Sequence, residues 1–202
     1  MTPRTPATEE IAAMPQDSPV ALPPGQVLVS GLPTVCADPP PRVGVGEWQF
    51  SVTTEYGVVR CWDWPAIRAL PSEHVVADLH CVAGWSVLGT HWDGVPVRTL
   101  FDGLVTTAEY AVVDSYGGYA TNLPLEDLLE MSTWLATAFE GHELRPEQGG
   151  PARLLVPHLY LWKSVKWVRG ITLSRTDRPG WYERHGHHNY GDPWREQRFS
   201  DT

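Results

Sequence analysis

Asp78-Leu79-His80-Cys81-Val82-Ala83-Gly84-Trp85-Ser86 is the stretch on which the fold of this chain turns. Before it, Val75, Ala77 and Leu79 alternate with other residues at the two-residue period of a half-buried strand. The spacing therefore predicts a strand that delivers His80 and Cys81 at its end. Ala83-Gly84 follows with the small residues of a tight turn, so the Cys81 sulfur can face a cavity beyond the strand. A lone cysteine is most often a small buried hydrophobe, and Cys36 and Cys61 are read that way.

Working outward, Trp48, Phe50 and Val52 alternate in the same manner, and Glu55-Tyr56-Gly57 turns that strand toward Val58–Cys61. Asp63 is placed to cap a short helix with Pro65 in its first turn, ending at Pro71. Downstream the pattern predicts a helix over Val97–Val105, a strand over Tyr110–Ser115 and a helix over Leu125–Glu130. Strands are expected over Leu154–Val156 and Val165–Leu173, and the last thirty or so residues read as an irregular closing segment. Nineteen Pro and eighteen Gly favour many short elements joined by fixed turns, which gives an α+β or irregular β class. At 202 residues the chain can bury a large core without a disulfide or zinc staple. Residues 1–21 read as a flexible leader and 22–202 as one domain, with no internal repeat.

A formal net charge of −9 argues against a nucleic-acid or anionic-membrane surface. Three scattered cysteines do not form a secreted disulfide framework. The opening MTPRTPATEEIAAMPQDSP lacks an apolar signal core, and no run could span a bilayer, so a cytoplasmic protein is expected. Within this acidic chain, Gln148 to Thr176 holds five cations (Arg153, Lys163, Lys166, Arg169 and Arg175) and no acid. Such a stretch suits a phosphate, although a solvated face balanced by acids elsewhere has the same sequence signature.

His80-Cys81-Val82-Ala83-Gly84-Trp85-Ser86 followed by His91-Trp92-Asp93-Gly94-Val95-Pro96 resembles the metal-binding segment of the sulfite oxidase superfamily. The likeness is greatest to the branch that holds the molybdenum subunit of bacterial methionine sulfoxide reductase. Asp114-Ser115-Tyr116-Gly117-Gly118-Tyr119-Ala120-Thr121-Asn122-Leu123-Pro124 resembles the next loop of that superfamily. Gln148-Gly149-Gly150-Pro151-Ala152-Arg153 resembles its pterin-binding turn, and Ser164-Val165-Lys166-Trp167 the strand that closes over the cofactor phosphate. Asp177-Arg178-Pro179-Gly180-Trp181 and Gly191-Asp192-Pro193-Trp194 resemble the ends of its small cytoplasmic members.

This resemblance implies an α+β, mixed sulfite-oxidase-type molybdopterin-binding domain without the dimerisation and haem domains of larger relatives. It implies molybdenum held by a pterin dithiolene and one protein thiolate, and Cys81 is the matching position. Arg153 and Lys166 match contacts to the pterin phosphate, Ser164 and Val165 backbone contacts beside it, and Ser115 a polar contact. Gln148 stands where the family usually has His or Asn, and its amide can still donate and accept at the pterin edge. The implied cofactor is molybdenum–molybdopterin in its monophosphate form, without a nucleotide. The implied partners are a small-molecule substrate and an unidentified electron donor or acceptor protein. The rival readings are a non-catalytic carrier of the cofactor and a zinc domain built from Cys81 and His185, His187 and His188. Sulfite-oxidising relatives place arginines just after the metal-binding cysteine. Here Ser72 to Val97 contains no Lys or Arg but carries Glu73, Asp78 and Asp93, which favours a neutral S-oxide or N-oxide over sulfite.

Overall fold

The computed structural model describes residues 21–33, 39–129 and 132–201. Cys36, Glu130 and the expected leader up to residue 20 lie outside them. In chain order the elements are β1 Val27–Leu28, β2 Gln49–Thr53, β3 Val59–Asp63, α1 Trp64–Arg68, β4 Glu73–His80, β5 Trp85–Pro96, α2 Val97–Leu100 and β6 Tyr110–Ser115. They continue with β7 Ala120–Pro124, α3 Leu125–Leu129, β8 Trp134–Phe139, β9 His142–Glu143, β10 Arg153–Leu155, β11 Val168–Ser174 and α4 Trp181–Arg184.

Two mixed sheets enclose the main core, as an α+β domain requires. One has the order β1-β5-β8-β10, with β4 also on β5 and β9 also on β8; the other runs β3-β2-β11-β6-β7. Val95, Leu135 and Leu154 from the first sheet meet Phe50, Val113 and Ile171 from the second, and the short helices add Ile67, Leu100 and Leu128. A smaller cluster holds Leu79, Trp92, Trp134 and Leu155 from the first sheet, and it includes the strand that leads to Cys81.

Local chemistry accounts for several boundaries. Asp63 caps α1 by accepting from the Ala66 N–H at 2.9 Å, and Pro65 lies in its first turn as the spacing predicts. The helix expected over Val97–Val105 ends at Leu100 instead. Gly103 adopts φ +67 and the chain turns there, because only glycine takes that conformation cheaply. The strand expected from Val165 begins at Val168, since Trp167 holds φ +52 and gives its N–H to the Gly149 carbonyl. The closing segment is not wholly irregular: α4 gives it one helical turn.

Candidate functional site

Cys81 directly follows β4 and opens a turn whose backbone is held from both termini of the described chain. Its N–H donates to Trp85 O, and its carbonyl accepts from Gly84 N–H at 3.0 Å and from Gln26 Nε2 at 3.1 Å. Gln26 Oε1 in turn accepts from Ser86 Oγ at 3.1 Å, and Ser86 Oγ lies 2.8 Å from His80 Nδ1. Because the hydroxyl proton is committed to Gln26, His80 Nδ1 must be the donor in that contact. From the other end, Arg198 Nη1 donates to Val82 O at 2.6 Å, while Nη2 reaches Pro24 O and Gly25 O at 3.1 and 3.2 Å. Its Nε lies 3.6 Å from Glu196 Oε1, and the guanidinium sits over the Tyr160 ring.

The half-buried Cys81 thiol is pushed up by burial, against the pull of the Ala83 N–H and the charges of Arg198 and Lys166. Burial raises the Tyr182 phenol, and Cys81 adds to that rise. Lys166, Arg198 and Tyr182 therefore all lie within electrostatic reach of the sulfur, although 85 to 117 residues separate them from it in sequence. Trp194 meets His80 edge-on at 6.2 Å between ring centroids, and Tyr182 packs against Trp181, Tyr119 and His187. The closing segment thus lies beside Cys81 and presents aromatic side chains there.

The other residues singled out in the sequence gather at one neighbouring place. Gln148 Oε1 accepts from the Arg145 N–H at 3.0 Å, and Gly149 follows at φ +104 with no room for a Cβ against Lys166. Arg153 is only 3% exposed and ties this turn to the next segment, donating to Gln148 O and Ser164 O at 3.0 Å each. Ser164 Oγ accepts from Val156 N–H, and the Val165 carbonyl accepts from Leu154 N–H. Ser115 Oγ accepts from Gly117 and Tyr119 N–H groups, and the next residue's N–H bonds Trp167 O, which brings that loop against Lys166's neighbour. Cys81, Ser115, Gln148, Arg153, Ser164, Val165 and Lys166 so form one contiguous region, in which most of the polar side chains shape backbone.

The run of five cations does not form one patch. Lys163 is fully buried, 2.6 Å from Glu183 Oε1, and donates to Asn122 O and Oδ1 and to Asn189 O. Arg169 lies over Tyr116, and Arg175 lies over Tyr56 and donates to Thr107 Oγ1. Arg153 and Lys166 are the two that lie in the region beside Cys81. The tail histidines do not converge on an ion either. His185 bonds Trp181 O, His188 Nδ1 accepts from Tyr190 and Gly191 N–H groups, and His187 packs among Trp162, Tyr182 and Phe199. Among the described residues no group of three or more His, Cys, Asp or Glu side chains could hold a metal. Gln26, Tyr182 and Arg198 escape a sequence reading because nothing in their local patterns reveals that segments near both ends of the described chain meet at Cys81.

The model of the oxidoreductase molybdopterin-binding domain matches residues 37–182. The chain belongs to that family of molybdopterin-binding oxidoreductases. It is 38% identical over 185 residues to the uncharacterized oxidoreductase YuiH of Bacillus subtilis (strain 168), covering 89% of this chain and 92% of the relative. It is 28% identical over 144 residues to the protein-methionine-sulfoxide reductase catalytic subunit MsrP of Gluconobacter oxydans (strain 621H), covering 62% of this chain and 46% of that protein. A putative protein-methionine-sulfoxide reductase subunit, YedZ1 of Azospira oryzae, matches at 27% identity over 74% of this chain and 58% of its own length. The chain thus spans nearly all of the first relative and about half of each of the other two. In fold it is similar to the sulfane dehydrogenase SoxCD of Paracoccus pantotrophus, with a TM-score of 0.63 at 18% identity over 73% of this chain and 42% of that one. Family and fold agree: the chain is a sulfite-oxidase-type, molybdopterin-binding enzyme.

Proposed function

We propose that residues 22–202 form one oxidoreductase domain that reduces a small neutral S-oxide or N-oxide, with the Cys81 thiolate binding the molybdenum of a monophosphate molybdopterin. The residues present fit that group. A single soft sulfur donor stands at a strand end within electrostatic reach of the Arg198 and Lys166 charges, and Gly149 packs on Lys166 so closely that no Cβ would fit. Lys166 would face the phosphate as a point charge, with Arg153 adding charge from behind the turn. Ser164 and Val165 would offer backbone, and Ser115 and Gln148 would hold the loops that border the pterin. When bound, the group supplies the electron pair for oxygen-atom transfer.

The chain's own residues do the remaining work. Gln26 and Arg198 fix the Cys81 turn, so the sulfur is held before any ligand arrives. Reducing an S-oxide to a sulfide consumes two protons and releases water. The Tyr182 phenol, raised by burial and then by Cys81, stays protonated within electrostatic reach of the sulfur and can donate a hydrogen bond to the oxide oxygen.

One observation carries the choice of a neutral substrate. Arg198 is the arginine that reaches the Cys81 turn, and its guanidinium is already committed to three carbonyls and Glu196. The Arg198 guanidinium therefore offers no free planar fork to grip sulfite, whereas the exposed rings of Trp181 and Trp194 suit the apolar groups of a sulfoxide. Two relatives named as protein-methionine-sulfoxide reductase subunits point the same way, and the word subunit in their names supports a partner protein, whose role in this proposal is electron transfer. A cytoplasmic location belongs to the same proposal. No helix among the described residues is long and apolar enough to cross a membrane. The test supplies reduced viologen with a panel of sulfoxides and N-oxides, and separately sulfite with ferricyanide. Turnover of the oxides is expected. Efficient sulfite oxidation without oxide turnover would overturn the substrate while leaving the cofactor in place.

A further inference from the structure

The β4–β5 ribbon ends at Cys81 on one side and carries a second constellation toward the other. In its register His74 faces Asp93 and Val76 faces His91, so His74, His91 and Asp93 share one face with the two histidines on a diagonal. All three are on the surface: the His74 side chain is 58% exposed and that of Asp93 38%. His74 Nδ1 lies 2.9 Å from Asp93 Oδ1, and His74 Nε2 lies 3.1 Å from His91 Nδ1. Glu140 Oε1 accepts the His91 backbone N–H at 3.0 Å, which steadies that residue from β8's side of the ribbon. A cavity of about 490 Å³ opens beside the cluster, lined by His74 and Asp93 together with Arg68, Glu73, Thr137 and Glu143.

Proton bookkeeping narrows what this arrangement can be. An ionised carboxylate only accepts, so His74 Nδ1 carries its proton toward Asp93, and in the neutral ring a lone pair remains on Nε2. That lone pair points at the Nδ1 of His91. Either His91 adopts the tautomer with its proton on Nδ1, or both nitrogens present lone pairs to something electrophilic. A ligand histidine whose second nitrogen is held by a carboxylate is the usual support of a metal-binding imidazole. Two nitrogens 3.1 Å apart can each sit about 2.0–2.1 Å from a single ion, and they then subtend roughly a right angle. A right angle between imidazoles is the angle of tetragonal Cu(II) or Ni(II) and is narrower than zinc's tetrahedral one. Both rings are exposed, so turning the lone pairs toward a shared ion disturbs no core contact.

We propose that His74 and His91 form a binding site for a divalent, nitrogen-seeking transition-metal ion of the Ni(II) or Cu(II) class, with Asp93 orienting His74 from behind. Among the described residues no third His, Cys, Asp or Glu completes a ligand set, so water fills the remaining positions. Oxygen-seeking Mg²⁺ and Ca²⁺ find little here. The ion clips β4 to β5 on the ribbon whose end carries Cys81, and the site stands whether or not the substrate proposed above is right.

The experiment is a calorimetric titration of the purified, cofactor-bearing protein with Ni(II), in a Cys36→Ser, Cys61→Ser background that removes two competing thiols. One ion per chain is expected, with a rise in melting temperature on addition of Ni(II). His74→Gln and His91→Gln should each weaken binding at least about tenfold and abolish the rise, since one imidazole cannot chelate. Asp93→Asn should weaken binding about 10- to 100-fold without changing the stoichiometry. Unchanged affinity in the two histidine variants would place the ion elsewhere and overturn the site. The absence of any binding in the parent would reduce the contact to a hydrogen bond between two imidazoles and overturn it equally. Far-UV circular dichroism of each variant separates lost ligands from lost fold.

Discussion

Replacing Lys163 by Met tests how the closing segment is fastened, because this cation was expected near a phosphate and is found inside the protein. Its ammonium lies 2.6 Å from Glu183 Oε1 and donates to three oxygens of Asn122 and Asn189; the side chains of the pair are 1% and 2% exposed. Asn122 Nδ2 also bonds Asp177 and Asn189, so a single buried network joins β7, the turn at 161–163 and the segment after β11. Methionine fills a similar volume but leaves the Glu183 carboxylate buried with only Thr121 Oγ1 and Trp162 Nε1 as donors. Breaking a buried pair from one side costs about 3–5 kcal/mol. For a chain of this size each kcal/mol shifts the melting temperature by about 2–4 °C, so a fall of about 6–20 °C is expected. Tyr182 is the residue before Glu183, so substrate turnover should fall along with stability. Lys163→Met combined with Glu183→Gln removes both charges while keeping an acceptor for Thr121 and Trp162, and should restore roughly half of the loss. Differential scanning calorimetry of the three proteins decides the matter. A single variant that melts within about 2 °C of the parent would refute the buried pair as the fastening.

If Lys166 meets the pterin phosphate as proposed, Lys166→Ala removes a charge-assisted contact worth about 1.5–3 kcal/mol, and cofactor content per chain should drop about tenfold or more. Pterin fluorescence after oxidation measures it, and normal occupancy would show that Lys166 serves something else; a nucleotide released on denaturation would contradict the monophosphate form. For Glu55, burial would raise the carboxyl, but Thr106 Oγ1, the Thr107 N–H and the Thr107 hydroxyl outweigh it and hold its pKa at about 2. A carboxylate lowered in the fold adds stability above its ordinary value of 4.5, and that contribution is lost as the pH falls toward 2. Melting curves of Glu55→Gln should therefore be less acid-sensitive than those of the parent between those pH values, and identical curves would contradict the assignment.

What the sequence revealed depended on how many faces of each element are buried. β2, β4 and β6 alternate, and their patterns were visible; α1 announced itself through Asp63 and Pro65. β5 and β8 went unseen because both are interior strands with neighbours on each side and buried residues on both faces, which erases the two-residue period. The Cys81 turn and the 148–153 and 164–166 segments were recognisable because ordered motifs mark them. Gln26, Tyr182 and Arg198 were not, because their meeting at Cys81 is a tertiary event: Arg198 bonds a carbonyl 116 residues away and another 174 away. The net cationic run from Arg153 to Arg175 misled for the same reason, since the fold distributes its members to separate partners, one of them a buried glutamate.

The proposed bond between Cys81 and molybdenum is open to direct measurement by X-ray absorption at the molybdenum edge, on protein expressed with molybdate and on its Cys81→Ser variant. The parent should contain molybdenum and pterin in equal amounts with three sulfur neighbours at the metal, two from the pterin and one from the protein. The variant should keep its fold, show two sulfur neighbours and lose turnover. Protein purified without molybdenum, or a sulfur count that is the same in parent and variant, would contradict Cys81 as the ligand.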